Sequence, residues 1–429
     1  MSQPHQLTQK ILTAMVLAIV LGAIAQAGTG YWTLYDQVLN DVLVGGVFFI
    51  LGKIFVATLK LLVVPLVLVS LVCGASSLGS GSQIGRLGGK TLVLYLFTTA
   101  VAISLAMMAA LLVQPGVGAD LTATTEVNIK EGASFAQVLI NIFPSNPISA
   151  LAEGKMLQII VFALLLGVAI SHSGEAGQRL KRQFEDWNDV ILKMVTMLMQ
   201  VAPYGVFALL FSLFADKGLK AISELVVYFA VVVAVLLIHG FVVYGSLLAV
   251  LARLSPVMFF KKMRNVQVFA FSTASSNATL PLTMRAVEKR LGVDNRVASF
   301  SVPLGATLNM DGTAIMQGVA TVFIAQAYGI DLSFMDFLTV IATATLASIG
   351  TAGVPGVGLV MLSMVLTQVG LPVEGIALII GVDRLLDMLR TAVNVTGDAA
   401  VSCIVAKSEQ QLDLPTFQDD SAGSAEERG

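Results

Sequence analysis

"NVQVFAFSTASSNATLPLTM", residues 265–284, carries no charge and is long enough to cross a membrane, yet it cannot do so. Arg253, Lys261, Lys262 and Arg264 precede it, and Arg285, Lys289, Arg290 and Arg296 follow it. Lys and Arg collect on the cytoplasmic side of membrane proteins, and no span has two cytoplasmic ends. The segment must enter and leave on one side, turning at its small polar tip, Ser275-Ser276-Asn277.

The whole chain sets that reading in context. Of its 429 residues, 56% are hydrophobic and only 12% are charged, against roughly 25% charged in soluble domains. The class is an all-α polytopic membrane protein. A net charge of −2 with no basic stripe argues against a nucleic-acid partner. Cys73 and Cys403 lack metal or redox spacing and read as apolar fillers. His5, His172 and His239 accompany no hydrolase motif, so an intramembrane enzyme fits poorly.

Apolar stretches long enough to span lie near 8–27, 42–74, 88–115, 156–176, 190–215, 221–252, 296–328 and 375–406. The first mimics a signal peptide, with Lys10 and Ala25-Gln26-Ala27, but the topology closes only if it is retained. Arg86 and Lys90, then Arg179, Lys181 and Arg182, then Arg253–Arg264, mark alternate connections as cytoplasmic. The connections around Asp120–Glu131 and Asp331–Asp336 are poor in positive charge and should face outward, leaving both termini inside. Residues 116–155, with Pro144 and Pro147, read as an exposed loop leading into a broken helix. From Glu409 the chain is polar and acidic and reads as disordered.

A second interrupted segment mirrors the first. Residues 337–373 carry no charge and are too many for one ordinary span. Their middle, "SIGTAGVPGVG", is rich in helix breakers, so each arm reaches only part-way across. This is a re-entrant hairpin from the outer side. Paired interruptions of this kind point to a transporter with inverted repeats and a midplane site.

The charges inside the last span, "GVDRLLDMLRTAVNVTGD" (381–398), need a purpose, because each costs at least about 2.5 kcal/mol at that depth. On a helix, Asp383, Asp387, Arg390, Thr391, Asn394 and Asp398 fall within about 100° of arc, with Arg384 at the edge. A self-neutralising network is the alternative, but it does not require Thr and Asn on the same stripe. A guanidinium in a dry cavity suits a carboxylate, and Asp387 one turn away suits an ammonium group. In "PLGATLNMDGTA" (303–314) Pro, Gly, Asn and Asp break another span. The freed carbonyl oxygens, with Asp311 and Asp398, suit a hard cation.

The serine-rich tip before "TLP", the "NMDGT" turn, the "GTAGVPG" tip and "DMLRTAVNVTGD" stand in one order and spacing. With these four motifs the chain resembles the glutamate/aspartate transporter family of dicarboxylate/amino-acid:cation symporters, over all but its tails. The resemblance implies a homotrimer in the cell membrane with eight transmembrane helices and two re-entrant hairpins per protomer. Residues 1–87 (spans 1 and 2) and 116–215 (outer loop, spans 4 and 5) would form a scaffold. Span 3 (88–115) and residues 216–408, with the inner hairpin near 255–290 and the outer near 335–373, would form a transport domain moving like an elevator. Residues 409–429 would be a disordered tail.

The resemblance also implies roles. Arg390 would bind the substrate's side-chain carboxylate and Asp387 its amino group, with Ser276, Thr313, Val354, Gly358, Thr391 and Asn394 completing the pocket. Three co-transported sodium ions are implied. One would lie at Asp398, Gly305, Asn309 and Asn394; a second at Thr307, Met310, Ser348, Ile349 and Thr351; a third at Tyr95, Thr98, Thr99, Asn309 and Asp311. No organic cofactor is expected. The sodium-driven import of aspartate or glutamate is the leading function, because both Asp311 and Asp398 are kept. Proton-coupled glutamate or dicarboxylate symport is the rival, and neutral amino-acid transport would leave Arg390 unpaired. Gln317 replaces the glutamate that the animal members link to potassium, so no potassium step is expected. Some members carry an arginine at the inner hairpin where this chain has Ala274. Arg384 is the candidate replacement near Asp383 or Asp387, unless it and Asp383 only balance each other.

Overall fold

In the computed structural model, residues 3–29, 37–76, 82–118, 143–217, 220–348, 356–420 and 422–423 are described. The expected outer loop around Asp120–Glu131 lies outside them, as do Ile349, Thr351 and Val354.

The described chain is helical, with one isolated β-bridge, Val293 to Leu412. Helix α1 is Gln3–Ala27 and α2 is Phe49–Ser76, continuing a π-wound stretch, Val38–Phe48. Helix α3 is Ser82–Val113, α4 Pro147–Glu153, α5 Met156–Ser171, α6 Gly174–Met199 and α7 Ala202–Lys217. Helix α8, Lys220–Leu237, runs on through the π-wound Ile238–Val243 towards Ala252. The inner hairpin is α9, Pro256–Thr273, and α10, Ser276–Lys289. Helices α11, Asn295–Leu308, and α12, Asp311–Ala327, form the broken span. Then come α13, Phe334–Ser348, α14, Val357–Gln368, α15, Ile376–Ser408, and α16, Leu414–Gln418.

By length and composition, three described stretches can cross a membrane: Val38–Phe55, Arg86–Val113 and Leu225–Ala252. The other apolar helices are shorter, or, like α15, carry charges. Helix α15 is the hub, packing against α3, α7, α8, α9, α10, α11, α12 and α14. A second group, in which α1 lies along α7 and α2 packs on α5, α6 and α7, joins the first where α2 meets α14 and where α1 and α7 meet α15.

The inner hairpin returns to the side it came from. Lys262 Nζ, near the start of α9, donates to Arg290 O just past the end of α10, at 2.6 Å. At 1.5 Å per residue, α9 and α10 extend about 27 and 21 Å, short of the ~30 Å hydrocarbon core. The turn falls one residue earlier than the sequence suggested. Ala274 takes a left-handed φ of +48°, Ser275 caps α10 through its Oγ, and Ser276 is already helical. The arms of the outer segment, α13 and α14, pack against each other and on α12.

Three expectations change. The stretch 190–215 is not one helix: α6 ends at Met199 and α7 begins at Ala202. Pro203, in the first turn of α7, has no N–H to offer Met199 O, and its ring clashes with that carbonyl in a continuous helix. The basic connection at Arg179–Arg182 is itself part of α6. The acidic tail is also ordered through Asp420. Asp294 N donates to Gln411 O at 3.0 Å and Asp413 N to Gly292 O at 2.7 Å. Lys262, fully buried, donates to Thr416 O at 2.7 Å and lies 5.7 Å from the Phe417 ring centre. Arg86 and Lys90 each approach Glu409 to 2.5 Å. The tail thereby ties the start of α3, the end of α15 and the base of the inner hairpin together.

Candidate functional site

Arg390 is the largest fully buried side chain in the described protein, 1% exposed, half-way along α15. Its Nη2 donates to Asp387 Oδ1 at 2.8 Å, and Nη1 pairs with Asp383 Oδ1 at 3.0 Å. Arg384 Nη1 meets the other oxygen of Asp387, Oδ2, at 3.3 Å. Arg384 thus meets Asp387, while Asp383 is held by Arg390. Adjacent residues on a helix point about 100° apart, whereas the i,i+3 pairs 384–387 and 387–390 share a face. Arg390 Nε is buried and makes no hydrogen bond. The guanidinium thus keeps one donor in reserve.

Neighbouring backbone closes on Arg390. A methyl group on Gly358, at the start of α14, would stand 3.3 Å from Arg390 Nη2 and 3.3 Å from the Thr313 methyl. One on Gly312 would stand 2.6 Å from Arg390 O. Thr313, Gly358, Asp387 and Arg390 are thus brought together from α12, α14 and α15. Ser276 is buried at the start of α10, which packs on α15. Thr391 gives its hydroxyl to Asp387 O at 2.8 Å. The Asn394 amide is committed to the break in the broken span: Oδ1 accepts from Gly312 N at 2.7 Å and Nδ2 lies 3.2 Å from Met310 Sδ.

That break gathers the acidic groups. Asn309 Nδ2 donates to Asp398 Oδ1 at 2.9 Å and to Asn394 O at 3.1 Å, while Asn309 Oδ1 is buried with no partner. A methyl group on Gly305 would lie 2.5 Å from both Asp398 Oδ1 and Tyr95 Oη. Gly305, Asn309, Asn394, Asp398 and Tyr95 therefore converge. Thr99 Oγ1 meets Asp311 Oδ1 at 2.5 Å, and Thr98 and Thr99 both bond Tyr95 O. Two buried carboxylates, an unpaired amide oxygen and backbone carbonyls form an oxygen-rich set suited to a hard cation. Of the second expected cation set, Ser348 is buried and its Oγ bonds Thr345 O; Thr307 is exposed, and Ile349 and Thr351 are not described. Cys73 and Cys403 are free.

Sequence reasoning missed two residues. His239 Nε2 and Tyr244 Oη both contact Asp311 Oδ2, at 3.0 and 2.7 Å. Five apart on an α-helix, they would diverge by about 140°. The π-winding of Ile238–Val243 brings i and i+5 onto one face. A histidine inside an apolar span was the signal available.

The family model of the sodium:dicarboxylate symporter family matches residues 7–408. A proton/glutamate-aspartate symporter of Escherichia coli (strain K12) is 36% identical over 95% of this chain and 94% of its own. A proton/sodium-glutamate symport protein of Bacillus caldotenax is 35% identical over 89% of this chain and 94% of its own. The excitatory amino acid transporter 3 of Mus musculus is 33% identical over 95% of this chain and 87% of its own. These are transporters, not enzymes, and integral to membranes. From the breaks, the buried charges and these likenesses together, the chain belongs to the sodium:dicarboxylate symporter family.

Proposed function

We propose that the protein imports aspartate or glutamate together with sodium ions. The observation that carries this reading is Arg390: a fully buried guanidinium whose Nε is unused, closed onto Asp387 at 2.8 Å and Asp383 at 3.0 Å. An acidic amino acid presents two carboxylates and an ammonium group. One carboxylate takes the place of Asp387 on Arg390, and the ammonium group moves to the released Asp387. Ser276, Thr313, Val354, Gly358, Thr391 and Asn394 complete the pocket in this reading.

Sodium enters at the oxygen sets around Asp398 and Asp311, with a further one at Thr307, Met310, Ser348, Ile349 and Thr351, giving three ions per cycle. The buried, unpaired Asn309 Oδ1 supports the first two. Coupling follows if sodium and substrate each favour the same closed arrangement of the outer hairpin. We further read the protein as a homotrimer with eight spans and two hairpins per protomer and both termini cytoplasmic. The α1, α2, α5–α7 group is the scaffold and the elements gathered on α15 are the moving body. The packing of α1 on α7 and of α2 on α5, α6 and α7 supports the scaffold, which meets the moving body where α2 touches α14 and where α1 and α7 touch α15.

Proton coupling is the second reading, favoured by the names of the bacterial relatives. Uptake of labelled aspartate into proteoliposomes, driven in turn by a sodium and by a proton gradient, separates the two. Arg390→Gln should abolish acidic substrate uptake under either gradient.

A further inference from the structure

Four charges occupy one short stretch of α15, and their pairing is uneven. Arg390 alone faces two carboxylates, Asp387 at 2.8 Å and Asp383 at 3.0 Å. Those three groups sum to −1. A buried site of that charge attracts a cation and repels an anion. Arg384 brings the sum to zero: its Nη1 lies 3.3 Å from Asp387 Oδ2, with both side chains largely withdrawn from solvent. Asp383, Arg384 and Asp387 face a narrow cavity between α2, α7, α14 and α15, lined otherwise by apolar residues and Gly356. Among the described residues no other charged side chain lines it.

We propose that Arg384 is a specificity-determining positioning residue, which holds Asp387 by one oxygen and supplies the positive charge that lets Arg390 accept an anionic substrate. This rests on the reading that Arg390 takes a substrate carboxylate and Asp387 the ammonium group. The two arginines hold different oxygens of Asp387. When a substrate carboxylate displaces Asp387 from Arg390, Oδ1 is released for the ammonium group while Oδ2 stays anchored on Arg384. The carboxylate is thereby kept in place during the exchange. At 3.3 Å the contact of Nη1 with Asp387 Oδ2 is long for a charge-assisted hydrogen bond, so charge matters here more than guanidinium shape.

The test is sodium-driven aspartate uptake by Arg384→Gln, Arg384→Lys and the double variant Asp383→Asn/Arg384→Gln, with Arg390→Gln alongside. Removing one nearby charge shifts binding about tenfold or more. Arg384→Gln is expected to raise the KM for aspartate by that factor while lowering the KM for sodium, since the site becomes more negative. A merely structural defect would worsen both. Arg384→Lys should lie within about threefold of the parent, and Asp383→Asn/Arg384→Gln, again summing to zero, should recover most of the aspartate affinity. The proposal is overturned if Arg384→Gln leaves the aspartate KM unchanged, if both KM values rise together, or if the double variant is no better than the single one. Aspartate uptake by Arg390→Gln with the parent's KM would instead refute the underlying substrate assignment.

Discussion

Asp387 Oδ1 sits 2.8 Å from Arg390 Nη2, so the two groups that suit opposite ends of an amino acid are bonded to each other. The cavity beside them measures about 40 Å³, room for a few waters at most. In the proposed reading, substrate entry exchanges one buried ion pair for two. An exchange avoids leaving a bare charge, which costs about 3–5 kcal/mol when one partner of a buried pair is removed.

Gly305 stands where α11 meets Asp398 and Tyr95. Gly305→Ala would press a methyl group to 2.5 Å from Asp398 Oδ1 and Tyr95 Oη. Overpacking of this kind costs about 1–3 kcal/mol. The expected outcome is a lower unfolding midpoint in detergent and a raised sodium KM in uptake assays.

Asp311 accepts from Thr99, Tyr244 and His239 in a site without solvent. Tyr244→Phe removes a donor to a buried charge, a loss of about 1.5–3 kcal/mol. Chemical unfolding should show that loss, and sodium dependence should change with it, while Tyr228→Phe should leave sodium dependence as it was.

Lys262 holds the tail to the inner hairpin through Arg290 O, Thr416 O and the Phe417 ring. Lys262→Ala leaves two carbonyls without their donor and a gap beneath Phe417. Limited proteolysis should then cleave within residues 409–420, which resist cleavage in the parent.

Glu409 adds a pH dependence to the same tail. Lys90, and then Arg86, hold its carboxyl below the usual glutamate value. The folded value is depressed, so the contact contributes fully above the unfolded pKa of about 4.3 and is lost as pH falls through the lower folded value. Tail protection against an acid-active protease should persist at pH 4.5 and weaken only in stronger acid. Glu409→Gln should remove this contribution at all pH values.

Much of the architecture was legible because membranes punish exceptions. Charge-free 265–284 between two basic ends forced a hairpin, and "NMDG" forced the break observed at Asn309–Met310. Helical angles placed Asp387, Arg390 and Asn394 on one face. The same angles could have paired Arg384 with Asp387, since i,i+3 neighbours meet and adjacent residues do not. His239 and Tyr244 stayed hidden because π-winding shifts the helical register. The tail read as disordered because its cationic partners Arg86, Lys90 and Lys262 lie far away in sequence. Pro203 was the missed sign of the break between α6 and α7.

The most direct measurement of the central claim is aspartate uptake by proteoliposomes of the parent and Arg390→Gln under an inward sodium gradient. Concentrative uptake that requires sodium in the parent and vanishes in the variant is the predicted result. Uptake that ignores sodium in the parent, or survives unchanged without the Arg390 charge, would contradict it.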